Sequence, residues 1–145
     1  MEINIIVDDH GLEAEFYKKA NQVNAEFIRL TKDLTEIAHQ WVFSEAPRKT
    51  GKLKASVKKE TYGTRGLVWI SKSIAPYFIY VIEGTRPHII RAKYKKALKV
   101  PGYGIFKSVQ HPGTKANPFV DRAFTKMDGK IRERVNIFER WLTEV

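Results

Sequence analysis

From Leu12 to Trp41 the apolar residues recur at steps of three and four: Leu12, Phe16, Val23, Phe27, Leu30, Leu34, Ile37 and Trp41, with Ala20 in the gap. Only a helix gathers that spacing onto one side. The stripe therefore predicts a helix over 12–45, roughly 50 Å long at 1.5 Å per residue, which is longer than a small domain is wide. Pro47 and Gly51 end it, because proline cannot continue a helix and glycine releases the chain from it. The stripe reads as a core face, with one end left over for a neighbour. Ahead of it Ile3, Ile5 and Val7 alternate as in a short strand, and Asp8 or Asp9 can cap the helix.

A second amphipathic run closes the chain. Asn117 suits an N-cap and Pro118 the first helical position, where its missing N–H costs nothing. Phe119, Ala123, Met127, Ile131, Val135, Phe138 and Leu142 then keep helical spacing. Gly129 lies inside and costs about 1 kcal/mol relative to alanine, so a bend is expected there. Between the helices the chain is β-rich. Val57–Tyr62 and Leu67–Ser71 flank Gly63-Thr-Arg-Gly66 and predict a hairpin. Ala75–Glu83 reads as a short helix or a strand, with helix favoured because Tyr77 and Val81 stand one helical turn apart. His88–Arg91, Leu98–Val100 and Ile105–Val109 read as strands, with a basic hairpin tip at 92–97 and a turn at Pro101–Gly104.

The expected architecture is α+β, a single domain over 1–145. The long N-terminal helix and the C-terminal helix pack on a small antiparallel sheet with extended loops. Phe16, Val23, Phe27, Leu30, Leu34 and Trp41 are expected to meet Phe124, Ile131, Val135 or Phe138 directly or through the sheet. Burial of Phe27 would make its truncation cost about 3–5 kcal/mol.

Composition narrows the chemistry. A chain of 145 residues buries roughly 68–70% of its unfolded surface without staples. It has no cysteine, which excludes disulfides and thiolate metal sites. The first residues carry acids where a secretory signal is positive, and no apolar run approaches the roughly 20 residues of a membrane helix. The expectation is a soluble protein made in a cytoplasm. The net charge of +10 is unevenly placed: residues 1–45 carry −5, residues 46–115 carry +14 and residues 116–145 carry +1. Such a field attracts nucleic acid or an acidic protein surface.

Catalytic patterns are missing. His10, His39, His88 and His111 have no second ligand at zinc spacing. Glu60 and Glu83 are the only acids of the middle region and do not pair. No serine sits in a nucleophile elbow. The chain is expected to be no enzyme and to use no metal or cofactor. The basic link is more telling: Arg91, Lys93, Lys95, Lys96 and Lys99 surround Tyr94. That set serves phosphate contact and base stacking, or equally a solvated turn whose lysines blunt a sheet edge.

Three segments carry a resemblance. Ala46, Pro47, Thr50, Gly51, Leu53 and Ser56 fit the pattern Ala-Pro-x-x-Thr-Gly-x-Leu-x-x-Ser, in which proline stops the helix, Thr50 can cap a short turn, Gly51 bends it and Leu53 pins it. Tyr77-Phe-Ile-Tyr-Val-Ile-Glu83-Gly84-Thr85-Arg86-Pro87-His88 is an aromatic segment running into a glycine turn. His111-Pro-Gly113-Thr-Lys-Ala-Asn-Pro-Phe119, followed by Ala123, leads into the last helix. In this order, between two amphipathic helices, they resemble a family of tailed-bacteriophage minor tail components acting at the head–tail junction. Family members often place another residue between the acid and Gly-Thr, whereas here Glu83 directly precedes Gly84.

The resemblance implies a structural α+β subunit of the neck or tail-completion apparatus, made in the host cytoplasm and carried in the virion, that assembles as a ring of six. It implies as partners further copies of the chain, the connector or adaptor, and tail-tube or tail-terminator proteins, with DNA contact in the channel and no membrane. Thr50, Gly51, Tyr77, Glu83, Gly84, Thr85, Arg86, His88, His111 and Gly113 become the candidates for subunit and partner contact. Arg91, Lys93, Tyr94, Lys95, Lys96 and Lys99 become those facing DNA or an acidic partner. Six like charges within 86–104, brought near their copies, would repel over a Debye length of about 8 Å. The alternative is a nucleic-acid-binding module, told apart by steep salt dependence.

Overall fold

The computed structural model describes residues 12–93 and 97–144. The strand expected at Ile3–Val7 and the residues Tyr94, Lys95 and Lys96 lie outside the described residues. Helix α1 (Leu12–Glu45) is unbroken over 34 residues, as its stripe requires, with Glu13 and Glu15 in the first turn, where the helix dipole favours acids. After Pro47 the chain makes the single turn α2 (Lys52–Ser56). Strands β1 (Val57–Tyr62) and β2 (Arg65–Ile70) follow as an antiparallel hairpin. Tyr62 pairs directly with Arg65, so the link is the two residues Gly63 and Thr64 rather than the four expected. Helix α3 (Phe78–Glu83) occupies the aromatic segment. Helix α4 (Phe119–Glu144) runs through Gly129 to the end of the described chain.

The class is α+β, and α1 is its shared element. The β1–β2 hairpin and α4 both pack on α1, since a two-stranded hairpin is too narrow to seat two long helices. Glu36 of α1 pairs with Lys59 of β1, and Asp33 of α1 pairs with Arg134 of α4. Phe27 meets Phe138 edge to face at 4.9 Å. With Glu45 bonded to Arg122 and Lys126 at the other end, the two helices are antiparallel. In that register α4 ends before the first turns of α1 are covered.

The buried core lies at the C-terminal end of α1. It consists of Val42, Ala46, Leu53, Val57, Ala75, Phe119 and Ala123, flanked by Trp41, Val68, Ile70, Phe78, Val81, Ile82 and Val120. The stripes are not buried along their whole length, and the end of α1 expected to be left over is its N-terminal one. Phe16 is 64% exposed, because it lies beyond the reach of α4, and Phe27 is 44% exposed at the margin of the helix pair. Phe124 is also exposed. The inward face of α4 is Phe119, Ala123 and Met127, and a residue one step from Ala123 is turned about 100° away.

The expected caps fall differently. The N-cap of α2 is Gly51, at φ 77°, with no side-chain hydrogen bond, so Thr50 does not cap. At α4 the Asn117 Oδ1 accepts from Arg122 Nη2 at 2.7 Å, and Pro118 O takes the first helical bond from Arg122 N.

Between α3 and α4 the chain forms an arm. Strands β3 (His88–Arg91), β4 (Leu98–Val100), β5 (Gly104–Phe106) and β6 (Ser108–His111) are short. They nest as two ladders, β3 with β6 and β4 with β5. The single strand expected over 105–109 is thus two strands, divided at Lys107. The tip is also corrected: β3 and β4 do not pair with each other, so these two strands are not a hairpin. The closing turn is at 101–103, where Tyr103 N donates to Val100 O. Ile89, Tyr103, Ile105 and Phe106 are exposed along it, Tyr103 to 82% and Ile105 to 71%.

Candidate functional site

A backbone lock fixes the foot of the arm. Two Gly-Thr turns face each other there, Gly84-Thr85 after α3 and Gly113-Thr114 after β6. Thr85 N donates to Thr114 O at 2.9 Å and Thr114 N to Thr85 O at 3.0 Å. The two hydroxyl oxygens lie 3.0 Å apart. Asn117 N donates to Val81 O at 2.9 Å and ties the approach to α4 onto α3. Both glycines take left-handed φ, 74° at Gly84 and 88° at Gly113. A Cβ on Gly113 would stand 2.2 Å from Thr85 O, and one on Gly84 would stand 2.5 Å from Thr114 O. Glycine is needed at both places for backbone conformation and for space.

The lock borders an open cleft of about 1280 Å³. Its walls come from the three segments that were distant in sequence. The turn after α1 gives Pro47, Lys49, Thr50, Lys52 and Leu53. The α3 region gives Tyr77, Tyr80, Val81 and Glu83 to Arg86. The arm's base and the approach to α4 give His88, His111, Thr114, Lys115 and Asn117. Of the contact candidates, Thr50, Tyr77, Glu83, Gly84, Thr85, Arg86, His88 and His111 line this one cleft. Gly51 and Gly113 do not line it but shape the turns that do. Arg91, Lys93 and Lys99 belong to the arm outside the cleft, and Tyr94, Lys95 and Lys96 lie outside the described residues.

Lys49, Lys52 and Lys115 were not singled out from the sequence. Each occupies a variable or unremarked place in a recognised segment, and only the fold brings them together. The cleft then has Lys49, Lys52, Arg86 and Lys115 against one carboxylate, Glu83. Among the described residues none of those four cations takes part in an ion pair. The ion pairs of the described residues instead lie on α1, β1 and α4. Glu45 is an example at the helix junction. Lys126 at 2.7 Å, and then Arg122 at 3.2 Å, hold its carboxyl below the usual carboxylate range.

His88 and His111 are cross-strand partners in the β3–β6 ladder, with ring centroids 5.1 Å apart. His88 Nδ1 lies 2.8 Å from Arg86 O, so that nitrogen carries the proton and donates. Gly113 N donates to His111 Nδ1 at 3.0 Å, so the proton of neutral His111 is on Nε2. The pair therefore offers one acceptor and one donor nitrogen beyond its backbone bonds. Among the described residues there is no group of three or more His, Asp or Glu able to hold a metal, and no helix long and apolar enough to cross a membrane. The arrangement suits binding: cations and threonine hydroxyls around two tyrosines, open to solvent, at the root of a projecting ribbon. No protein-family model matches the chain, and no curated protein or solved structure is significantly similar to it.

Proposed function

We propose that the chain is a structural virion-assembly subunit of a tailed phage or prophage, acting at the neck or tail end as a ring. The observation that carries this reading is uncovered apolar surface at separate places among the described residues: Phe16 and Tyr17 at the free end of α1, and Tyr103 and Ile105 on the arm. Large apolar residues left uncovered at separate ends of one subunit belong to contacts with other chains. Distinct patches at separate places suit head-to-tail contacts, which give a ring when the rotation between neighbours closes. The convergence of the three segments of the phage-like pattern on one cleft supports the same reading.

Gene replacement tests it. In cells producing the phage without this chain, heads and tails should accumulate unjoined, and the wild-type chain should restore infectious particles. Tyr103→Asp with Ile105→Asp should fold, since both side chains face water, yet restore few or none. Joined, infectious particles formed without the chain would refute the proposal.

A further inference from the structure

We infer that the cleft and the arm together form a binding surface for double-stranded DNA, gripped through its phosphates without base selection. From Gly84 to Val120 the sequence has eight cations and no acid. Among the described residues Arg86, Arg91, Lys99, Lys107 and Lys115 take part in no ion pair, and neither do Lys49 and Lys52 across the cleft. The same chain neutralises its helical layer differently: α1, β1 and α4 set acids against their cations, as in Glu45 with Lys126 and Arg122, and Asp128 with Arg132. The helical layer thus carries counter-charges of its own, whereas these seven cations are left open to an external anion.

The composition of that face selects the anion. Five of those seven cations are lysine. Lysine is depleted in protein–protein interfaces, whereas protein–DNA interfaces are strongly positive. The cations also extend from the cleft along the arm, a spread that suits a continuous polyanion better than a single acidic patch. The arm carries two short antiparallel ladders of two strands each, and the major groove of B-form DNA admits a two-stranded element. The deep, narrow major groove of A-form RNA does not admit one. Opposite faces of the ribbon differ. Arg91 stands beside Ser108 and Ile89 beside Gln110 on one face, while Ile90 and Val109 share the other. Base reading needs bidentate Arg, Asn or Gln side chains held at fixed places. Lys99 and Lys107 of this arm are not held in that way by any side chain, so contact is with the backbone.

The test is fluorescence anisotropy of a labelled mixed-sequence DNA duplex with the full chain, at about 50 to 200 mM salt. Engagement of five or more of these cations predicts a plot of log K against log salt with slope about −4 or steeper. Arg91→Glu, Lys99→Glu and Lys107→Glu together should weaken binding at least tenfold, as should Lys49→Glu with Lys115→Glu. Each set should flatten the slope by about one per contact removed. Lys18→Glu with Arg140→Glu, a reversal in the helical layer, should leave affinity within twofold. The same positions changed to Gln repeat the test if a Glu set fails to fold. Equal affinity in the arm and cleft variants, a slope near zero, or tighter binding of a single strand than of duplex would overturn the inference. So would capture of polyglutamate that duplex DNA fails to displace, which would assign the surface to an acidic protein. None of these outcomes depends on the ring reading.

Discussion

Phe119→Ala should cost about 3–5 kcal/mol of folding stability, a large fraction of the 5–15 kcal/mol typical of a domain. Phe119 is fully buried, and it is the largest side chain so enclosed. It is the first residue of α4, and it sits in the cluster that also holds Val42, Ala46, Leu53 and Ala75. Four parts of the chain meet on that ring: the end of α1, the turn α2, the approach to α3 and the start of α4. Its removal opens a cavity that none of them can close alone. Phe27→Ala should cost much less, about 1–2 kcal/mol, because that ring remains 44% exposed and loses chiefly its edge contact with Phe138. Urea unfolding followed by circular dichroism measures both. A Phe119→Ala loss no larger than that of Phe27→Ala would show that stability resides in the helix pair and not in this cluster.

The second large effect is at the foot of the arm. Gly113→Ala places a methyl 2.2 Å from Thr85 O at a φ of 88°. The left-handed conformation costs about 1–3 kcal/mol for a residue with a side chain. The clash is with backbone, so the paired Thr85–Thr114 bonds must also stretch or break, at about 0.5–1.5 kcal/mol each. The expected loss is at least 2 kcal/mol, with hydrogen-exchange protection falling at the Thr85 and Thr114 amides. Gly129→Ala is the internal control, because that glycine has no atom within 4 Å of the added group. Inside α4 it should stabilise by about 0.5–1 kcal/mol. The same chemical change thus has opposite signs at two sites. Retained protection at Thr85 and Thr114 in Gly113→Ala would mean that the lock is not what orients the arm.

Local pattern revealed the helices and left the arm partly hidden. The α1 stripe predicted the bounds 12–45 because a helix that must bury one side has to repeat that side every turn. The same pattern overstated burial. Periodicity records which residues share a face, whereas cover depends on the length of the partner, and α4 is too short to reach Phe16. In the arm no face is enclosed, so alternation is weak and strand ends are poorly marked. A single strand over 105–109 therefore proved to be two, whereas the turn expected at 101–104 stands at 101–103. The pairing of His88 with His111 spans more than twenty residues and leaves no local signal.

The cleft was legible through turn chemistry. Gly84-Thr85 and Gly113-Thr114 stood out as turns, and the fold joins them by mutual hydrogen bonds. Lys49, Lys52 and Lys115 were not legible, since an isolated lysine beside a turn gives no indication of which distant cation it will adjoin. Asn117 was misread for a related reason. A capping side chain can be claimed by another partner, here Arg122, and sequence alone does not rank the two.

The proposed role, a ring that completes a phage particle at its head–tail junction or tail end, is checked by electron cryomicroscopy of particles assembled with the chain, at a resolution that distinguishes α1 and the arm. The expected density is a closed ring of six copies, with each arm and each free α1 end against a neighbouring chain and the Tyr103 and Ile105 side chains covered. Particles with complete necks and tails in which density for this chain is absent would contradict it, as would density showing isolated copies whose arms touch no other protein.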